Sequence, residues 1–187
     1  VLSKYWQEMQ SEKRFNIRES FCFIKTHSAL ANILGNEFTN KKFTRGLIYI
    51  VRDPRDIVLS WSNHRNKSID DTLEFMLNIN STIAYNDIHF LKDKNLKPLQ
   101  YISSWNTHFN SWKNLKVPKM IIRFEDLIEK KEAILKKIIS FFSAQYEISI
   151  DNVDIKIENI LRSTDFNFMK NLEEKFNQYC NSENLEV

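Results

Sequence analysis

Glycine and proline are scarce in this 187-residue chain, which has two of the former and three of the latter. Gly35 and Gly46 stand alone, and neither GxGxxG nor GxxxxGK followed by Ser or Thr occurs, so no Gly-rich phosphate loop is present. Cysteine is equally sparse. Cys22 and Cys180 lie far apart, which argues against both a disulfide framework and a metal-ligand cluster. No apolar run approaches the ~18 residues of a membrane span; the longest, around Leu47 to Val51, has the size of a strand. An excess of one charge is also missing. The formal net charge is +3 with the basic residues scattered, so the sequence predicts neither nucleic-acid nor membrane partners. The first residue is Val1 rather than Met, and the pattern enters a fold already under way. The expectation is a piece of a longer protein, in which a missing signal peptide carries no weight.

Apolar residues make up 42% and charged residues 27%, the balance of a globular domain. The length fits one α/β domain better than two. Three apolar runs read as buried strands of a parallel sheet: Phe21–Ile24, Leu47–Val51 and Lys119–Arg123. Helical patterns alternate with them. Pro54–Asn63 follows the second strand, with Asp53 as N-cap and Pro54 at the first helical position. Another helix starts at Ser68 and runs to about Leu77. Gln100–Leu115 carries Ile102, Trp105, Phe109 and Trp112 at helical spacing, and Glu125–Phe142 continues the theme. The polar stretch Tyr85–Pro98 predicts a mobile surface loop. Strands alternating with helices give an α/β fold around a parallel sheet.

Two constellations carry chemistry. In the first, an apolar run delivers Lys25, Thr26 and His27 together at the carboxyl end of a strand, where open parallel sheets place their ligands. Imidazole can take a proton near neutral pH, and Lys25 could offset charge on a leaving phosphate or sulfate. On spacing alone, a polar strand exit with a solvated His is the plainer reading. In the second, the strand at Leu47–Val51 ends in Arg52 and turns straight into a capped helix on which Ser60 lies two turns beyond Asp53. Arg, helix start and hydroxyl converge on an anion site; the rival is a structural pair of Arg52 with Asp53 or Asp56. Glu125 and Asp126, at a strand-to-helix junction, are explained more cheaply by helix-dipole complementarity than by acid/base catalysis. His108 sits beside an apolar stripe, where a lone His is usually structural. His64 and His89 show no pattern.

With those residues on the page, the chain resembles the sulfotransferase family that uses 3′-phosphoadenosine-5′-phosphosulfate (PAPS), its soluble cytosolic-type branch in particular. The resemblance runs from about Phe21 to Lys170. Lys25-Thr26-His27 is similar to the family's Lys-(Thr/Ser)-His motif, which implies His27 as catalytic base and Lys25 beside it. Tyr49 to Ser60 resembles the 3′-phosphate strand–turn–helix, implying that Arg52 and Ser60 bind that phosphate. Ser104-Trp105 with His108 and Trp112 is similar to a helix beside the acceptor pocket, so His108 is implied as a substrate-binding residue. Arg123-Phe124-Glu125-Asp126-Leu127 and Ser163-Thr164-Asp165-Phe166, with Met169-Lys170, resemble segments around the adenine, implying Phe124, Thr164 and Phe166.

The resemblance implies a three-layer P-loop NTPase-like fold, a cytoplasmic enzyme, PAPS as donor with no metal, and a small-molecule acceptor. Four departures stand out. The family's 5′-phosphosulfate loop has no counterpart, and its place would lie before Val1. The C-terminal Arg-Lys-Gly segment is absent too. Phe124 stands where the family has Tyr, and Asp165 where it has Ser, a carboxylate that would repel a nearby phosphate. A P-loop small-molecule kinase and a non-catalytic nucleotide- or partner-binding relative stay open as alternatives.

Overall fold

Asp53 and Pro54 decide where the first large helix begins. In the computed structural model, which describes residues 2–10, 23–83 and 100–182, the chain forms two compact units, Val1–Ile121 and Ile122–Val187. The first opens with a 3-10 turn (Leu2–Tyr5), helix α1 (Trp6–Met9) and a hairpin of β1 (Asn32–Ile33) and β2 (Asn36–Glu37). Strand β3 (Leu47–Val51) then leads into helices α2 (Pro54–Arg65) and α3 (Ile69–Leu77). Strands β4 (Thr82–Ile83) and β5 (Gln100–Tyr101), helix α4 (Trp105–Asn114) and strand β6 (Lys119–Arg123) complete the order. β1 and β2 are antiparallel, as are β4 and β5, with Thr82 opposite Tyr101. β3 and β6 form a parallel pair, each followed by a helix.

The Asp53 side chain accepts a hydrogen bond from the Arg55 backbone N–H at 2.9 Å, so α2 starts where Pro at the first position costs nothing. It ends at Asn66, which takes a left-handed φ of 50°. The N–H groups of Asn66 and Lys67 return to the carbonyls of Asn63 and Ser62, closing the last turn. Ser68 caps α3 by accepting from Asp71 N–H. In this unit Trp112 is buried and meets Phe38 edge-on at 6.0 Å; Phe38 in turn meets Trp6 at 5.3 Å. Ala29, Val58 and Met76 are also buried there.

The second unit is helical: α5 (Phe124–Glu129), α6 (Lys131–Tyr146), α7 (Val153–Ser163) and α8 (Phe166–Ser182). Ile134 of α6 and Ile157 of α7 are buried, and Lys136 reaches both Glu132 and Asp154 at 2.9 and 3.3 Å.

Three expectations change. The helix read over Gln100–Leu115 begins at Trp105 instead: Ser104 caps it through Thr107 N–H, while Gln100 and Tyr101 pair as a strand. The helix read over Glu125–Phe142 is broken at Lys130, whose φ and ψ of −125° and 38° leave the helical region. The strand read over Phe21–Ile24 is not present at Phe23 and Ile24, whose side chains are exposed; its first two residues lie outside the described ones, as does the loop expected at Tyr85–Pro98. An apolar run this short acquires a strand only if a neighbour pairs with it. The other two strands are less covered than a fully buried sheet would be, with Ile50 and Ile121 exposed.

One residue in the first unit sits badly. Ser103 has φ 62°, is 1% exposed, and its hydroxyl has no hydrogen-bond partner among the described residues, although its N–H donates to the Ser81 carbonyl at 2.9 Å. A left-handed non-Gly residue costs about 1–2 kcal/mol, and an unsatisfied buried hydroxyl about 1–3 kcal/mol more. Ser103→Gly is expected to stabilise the chain by about 1 kcal/mol net of glycine's extra unfolded-state entropy. Ser103→Ala, which relieves only the hydroxyl, should gain less. Thermal unfolding of the three proteins decides, and a lower midpoint for Ser103→Gly would contradict the account.

Candidate functional site

The segment carrying Lys25, Thr26 and His27 is a strap with exposed side chains. What fixes it is helix α4. Its polar residues recur at helical spacing and face the strap: His108 Nε2 lies 3.2 Å from the His27 carbonyl oxygen, and Trp112 Nε1–H donates to the Ser28 carbonyl at 3.0 Å. The Leu30 N–H donates to Ser111 Oγ at 3.0 Å, and the Ala29 N–H to the Tyr101 carbonyl at 2.7 Å. Sequence reading placed Ser104, His108 and Trp112 on one helix but did not find the partners of His108 and Trp112, 81 and 84 residues away.

The other ring nitrogen of His108, Nδ1, lies 2.8 Å from the Tyr49 hydroxyl. A carbonyl oxygen only accepts, so Nε2 carries the hydrogen, Nδ1 accepts, and Tyr49 donates. Burial pushes the Tyr49 hydroxyl up to about 12, which keeps it a donor throughout the neutral range. Burial also holds His108 below the ordinary histidine range, only partly offset by its bond to the His27 backbone. Tyr49 was missed by sequence reading; the available signal was a phenol inside an apolar strand, which normally finds a partner.

Tyr49 lies on β3, three residues before Arg52. Arg52 leaves the end of that strand with Nε 3.8 Å from the Asp56 carboxylate and its side chain about a third exposed, so the structural pairing weighed for Arg52 is present as a loose contact. Asp53 instead holds Arg55, at 2.6 Å through Oδ2, and also occupies the Arg55 N–H in the first turn of α2. The Arg55 N–H at this helix start is therefore taken, while Arg52 is partly exposed and Ser60, farther along α2, is exposed.

Phe124, Thr164 and Phe166 belong to the second unit. Phe124 is the first residue of α5 and is half-buried. Thr164 ends α7, its hydroxyl donating to the Ile160 carbonyl at 2.6 Å, while Lys131 donates to the Thr164 carbonyl at 2.7 Å. Phe166 opens α8 and is 78% exposed, a bare aromatic face. The Asp165 carboxylate accepts from Phe168 N–H at 3.0 Å and so caps α8. Glu125 and Asp126 lie in the first turn of α5, and Lys130, hydrogen-bonded at 3.0 Å, holds the Asp126 carboxyl below its usual range. This arrangement suits helix support better than proton transfer. Among the described residues no three His, Cys, Asp or Glu side chains gather to hold a metal ion, and no helix is long and apolar enough to cross a membrane.

The family model of the sulfotransferase domain matches residues 2–186, nearly the whole chain. The chain belongs to the sulfotransferase family. Its fold is accordingly the P-loop NTPase-like α/β arrangement, with β3 and β6 in the parallel sheet, and its class is that of a sulfuryl-group transferase. No curated protein matches the sequence.

The shifted His108 makes folding depend on pH in a defined sense. Its folded-state pKa lies below the unfolded value, so the unfolded chain takes up the proton first as pH falls. This contribution is complete above the ordinary histidine range near 6.5, declines as pH drops through it, and levels off below the folded value, with a slope of at most about 1.4 kcal/mol per pH unit. Denaturant unfolding between pH 7 and pH 5 should show wild type losing stability faster than His108→Gln, which cannot titrate. Parallel losses would contradict the assignment.

Proposed function

We propose that the two units are parts of one domain that transfers the sulfuryl group of PAPS to a hydroxyl or amine of a small-molecule acceptor, with His27 as general base. The observation that carries this reading is the link from β3 through Tyr49 and His108 to the His27 carbonyl. It ties the strand that ends in Arg52 to the strap that bears Lys25 and His27, two motifs separate in sequence and joint participants in this chemistry. A cytoplasmic setting is part of the proposal, supported by the lack of disulfide spacing in the sequence and by its resemblance to the cytosolic-type branch.

The residues present fit the donor's charges. Arg52 offers a partly exposed guanidinium at a strand end, and Ser60 an exposed hydroxyl about 9 Å along α2 from Pro54. The exposed ring of Phe166 could take one face of an adenine, beside Thr164, with Phe124 from α5 as the third proposed contact. The Thr164 hydroxyl already donates to the Ile160 carbonyl, so toward an adenine it would offer its methyl group or its oxygen as an acceptor only. Asp165 is likewise committed as a cap, which lessens the repulsion expected from a carboxylate near phosphate.

When bound, PAPS supplies an electrophilic sulfur and a stable leaving group, adenosine 3′,5′-bisphosphate. An imidazole nitrogen of His27 accepts the acceptor's proton as the new O–S or N–S bond forms. Lys25 would offset the negative charge reaching the phosphate oxygen as its bond to sulfur breaks. Positioning and charge neutralisation carry most of the rate, as in phosphoryl transfer.

Binding of adenosine 3′,5′-bisphosphate to this chain, with ATP as comparison, tests the nucleotide site. Arg52→Ala is expected to weaken it by about tenfold to a hundredfold, the worth of a charge-assisted hydrogen bond; equal binding by mutant and wild type would remove Arg52 from the site. In the protein that carries this chain, His27→Ala should cost about 10²–10⁴-fold in turnover. Activity within tenfold of wild type would end the base assignment.

A further inference from the structure

We propose that Tyr49 and His108 are positioning residues for this reaction: by holding the His27 carbonyl they fix the point from which the His27 imidazole works, an inference that rests on His27 being the base. His27 and Lys25 have exposed side chains that are not packed into place, and Thr26, also exposed, spends its hydroxyl accepting from the Ser28 N–H at 3.0 Å. The fastening lies in the main chain. From Ser28 onward it is held by Trp112, Tyr101 and Ser111. At His27 itself it is held by His108. The carbonyl of a residue is one rotatable bond from its own Cα, so releasing that carbonyl lets the His27 side chain swing while the strap beyond it stays put.

His108 can do this in only one tautomer. With the hydrogen on Nδ1, the Nε2 lone pair would face the carbonyl oxygen and repel it. A neutral imidazole left to itself samples both forms. The His27 carbonyl, which only accepts, fixes the form with hydrogen on Nε2, and the Tyr49 hydroxyl, 2.8 Å from Nδ1, supports it by donating to that nitrogen. The ring of Tyr49 is itself set against Phe109 at 5.6 Å and His108 at 5.7 Å, and Ser111 Oγ donates to the His108 carbonyl at 2.7 Å, so the whole linkage is braced by α4. A His108 that touched the acceptor instead would leave Tyr49 with no part in the chemistry.

The first test is the imidazole tautomer, read by nitrogen NMR on this chain without ligand. Wild type should show His108 with its hydrogen on Nε2, and Tyr49→Phe, which takes the donor away from Nδ1, should shift the Nδ1 resonance. A His108 with its hydrogen on Nδ1, or no change in Tyr49→Phe, would overturn the proposal. The second test is turnover by the protein that carries this chain, with PAPS and whichever member of a phenol, alcohol and amine panel the wild type uses. Tyr49→Phe and His108→Asn, whose side chain reaches only toward Tyr49, should lose about tenfold to a hundredfold in kcat with both KM values within about twofold. His108→Gln, whose terminal amide can stand in for Nε2–H, should recover most of it. A rise in acceptor KM with kcat intact would make His108 a substrate contact and refute positioning. His27→Ala run alongside separates the two layers. If it stays active, the base reading fails; if it is inactive while Tyr49→Phe and His108→Asn match wild type, only the positioning proposal fails.

Discussion

Two adjacent carbonyls, those of His27 and Ser28, take their donors from helix α4. The Trp112–Ser28 bond is buried, where a carbonyl without a donor costs about 1–3 kcal/mol, so that bond is a condition for the strap to lie where it does, and the exposed His108 bond extends the hold to His27. Trp112 does two jobs at once: its ring is buried against Phe38 while its indole N–H points to Ser28. An indole is suited to that, since it joins a large apolar body to a single donor. The consequence for function is direct. Core packing around Trp112 and placement of the Lys25–His27 strap are one constraint, so neither can drift without the other.

Strand β3 acts as the second end of that constraint. Its side chains alternate, and Tyr49 faces α4 while Arg52 leaves at the strand end toward α2. A rigid strand is a better ruler than a loop, and both the anion-binding candidate and the hold on His27 are measured along it. The chemistry proposed here depends on distances between groups more than on any one unusual group. A short strand followed at once by a helix that Asp53 caps and Pro54 opens supplies that economy with few residues.

Local chemistry was legible in the sequence; partner choice was not. The start of α2 followed from Asp53 and Pro54, and that of α3 from Ser68, because a cap and its helix lie within three residues of each other. Ser104 was an equally good cap for α4. Its signal lost to Ile102, which happened to fall in phase with Trp105 and Phe109 and drew the helix back to Gln100. The break at Lys130 had no marker, since neither Gly nor Pro stands there. Tyr49, His108 and His27 were each visible as residues, yet their meeting is decided by the pairing of distant elements, which no local period encodes. The exposure of Ile50 and Ile121 likewise depends on neighbours in the sheet rather than on the runs themselves.

The departure at Asp165 shows why a motif should be read through its physics. By charge alone, Asp in place of Ser beside a nucleotide site looks damaging. In the structure the Asp165 carboxylate accepts from Phe168 N–H and begins α8. Ser and Asp are near-equivalent as N-caps, because each offers an oxygen at the same reach to the same orphan N–H. The helix dipole and that bond draw the carboxylate's charge toward the turn. The change therefore preserves the junction between α7 and α8 that sets where Thr164 and Phe166 stand. What differs is electrostatic and screened by the cap itself, so the altered letter alters the fold less than the spelling suggests.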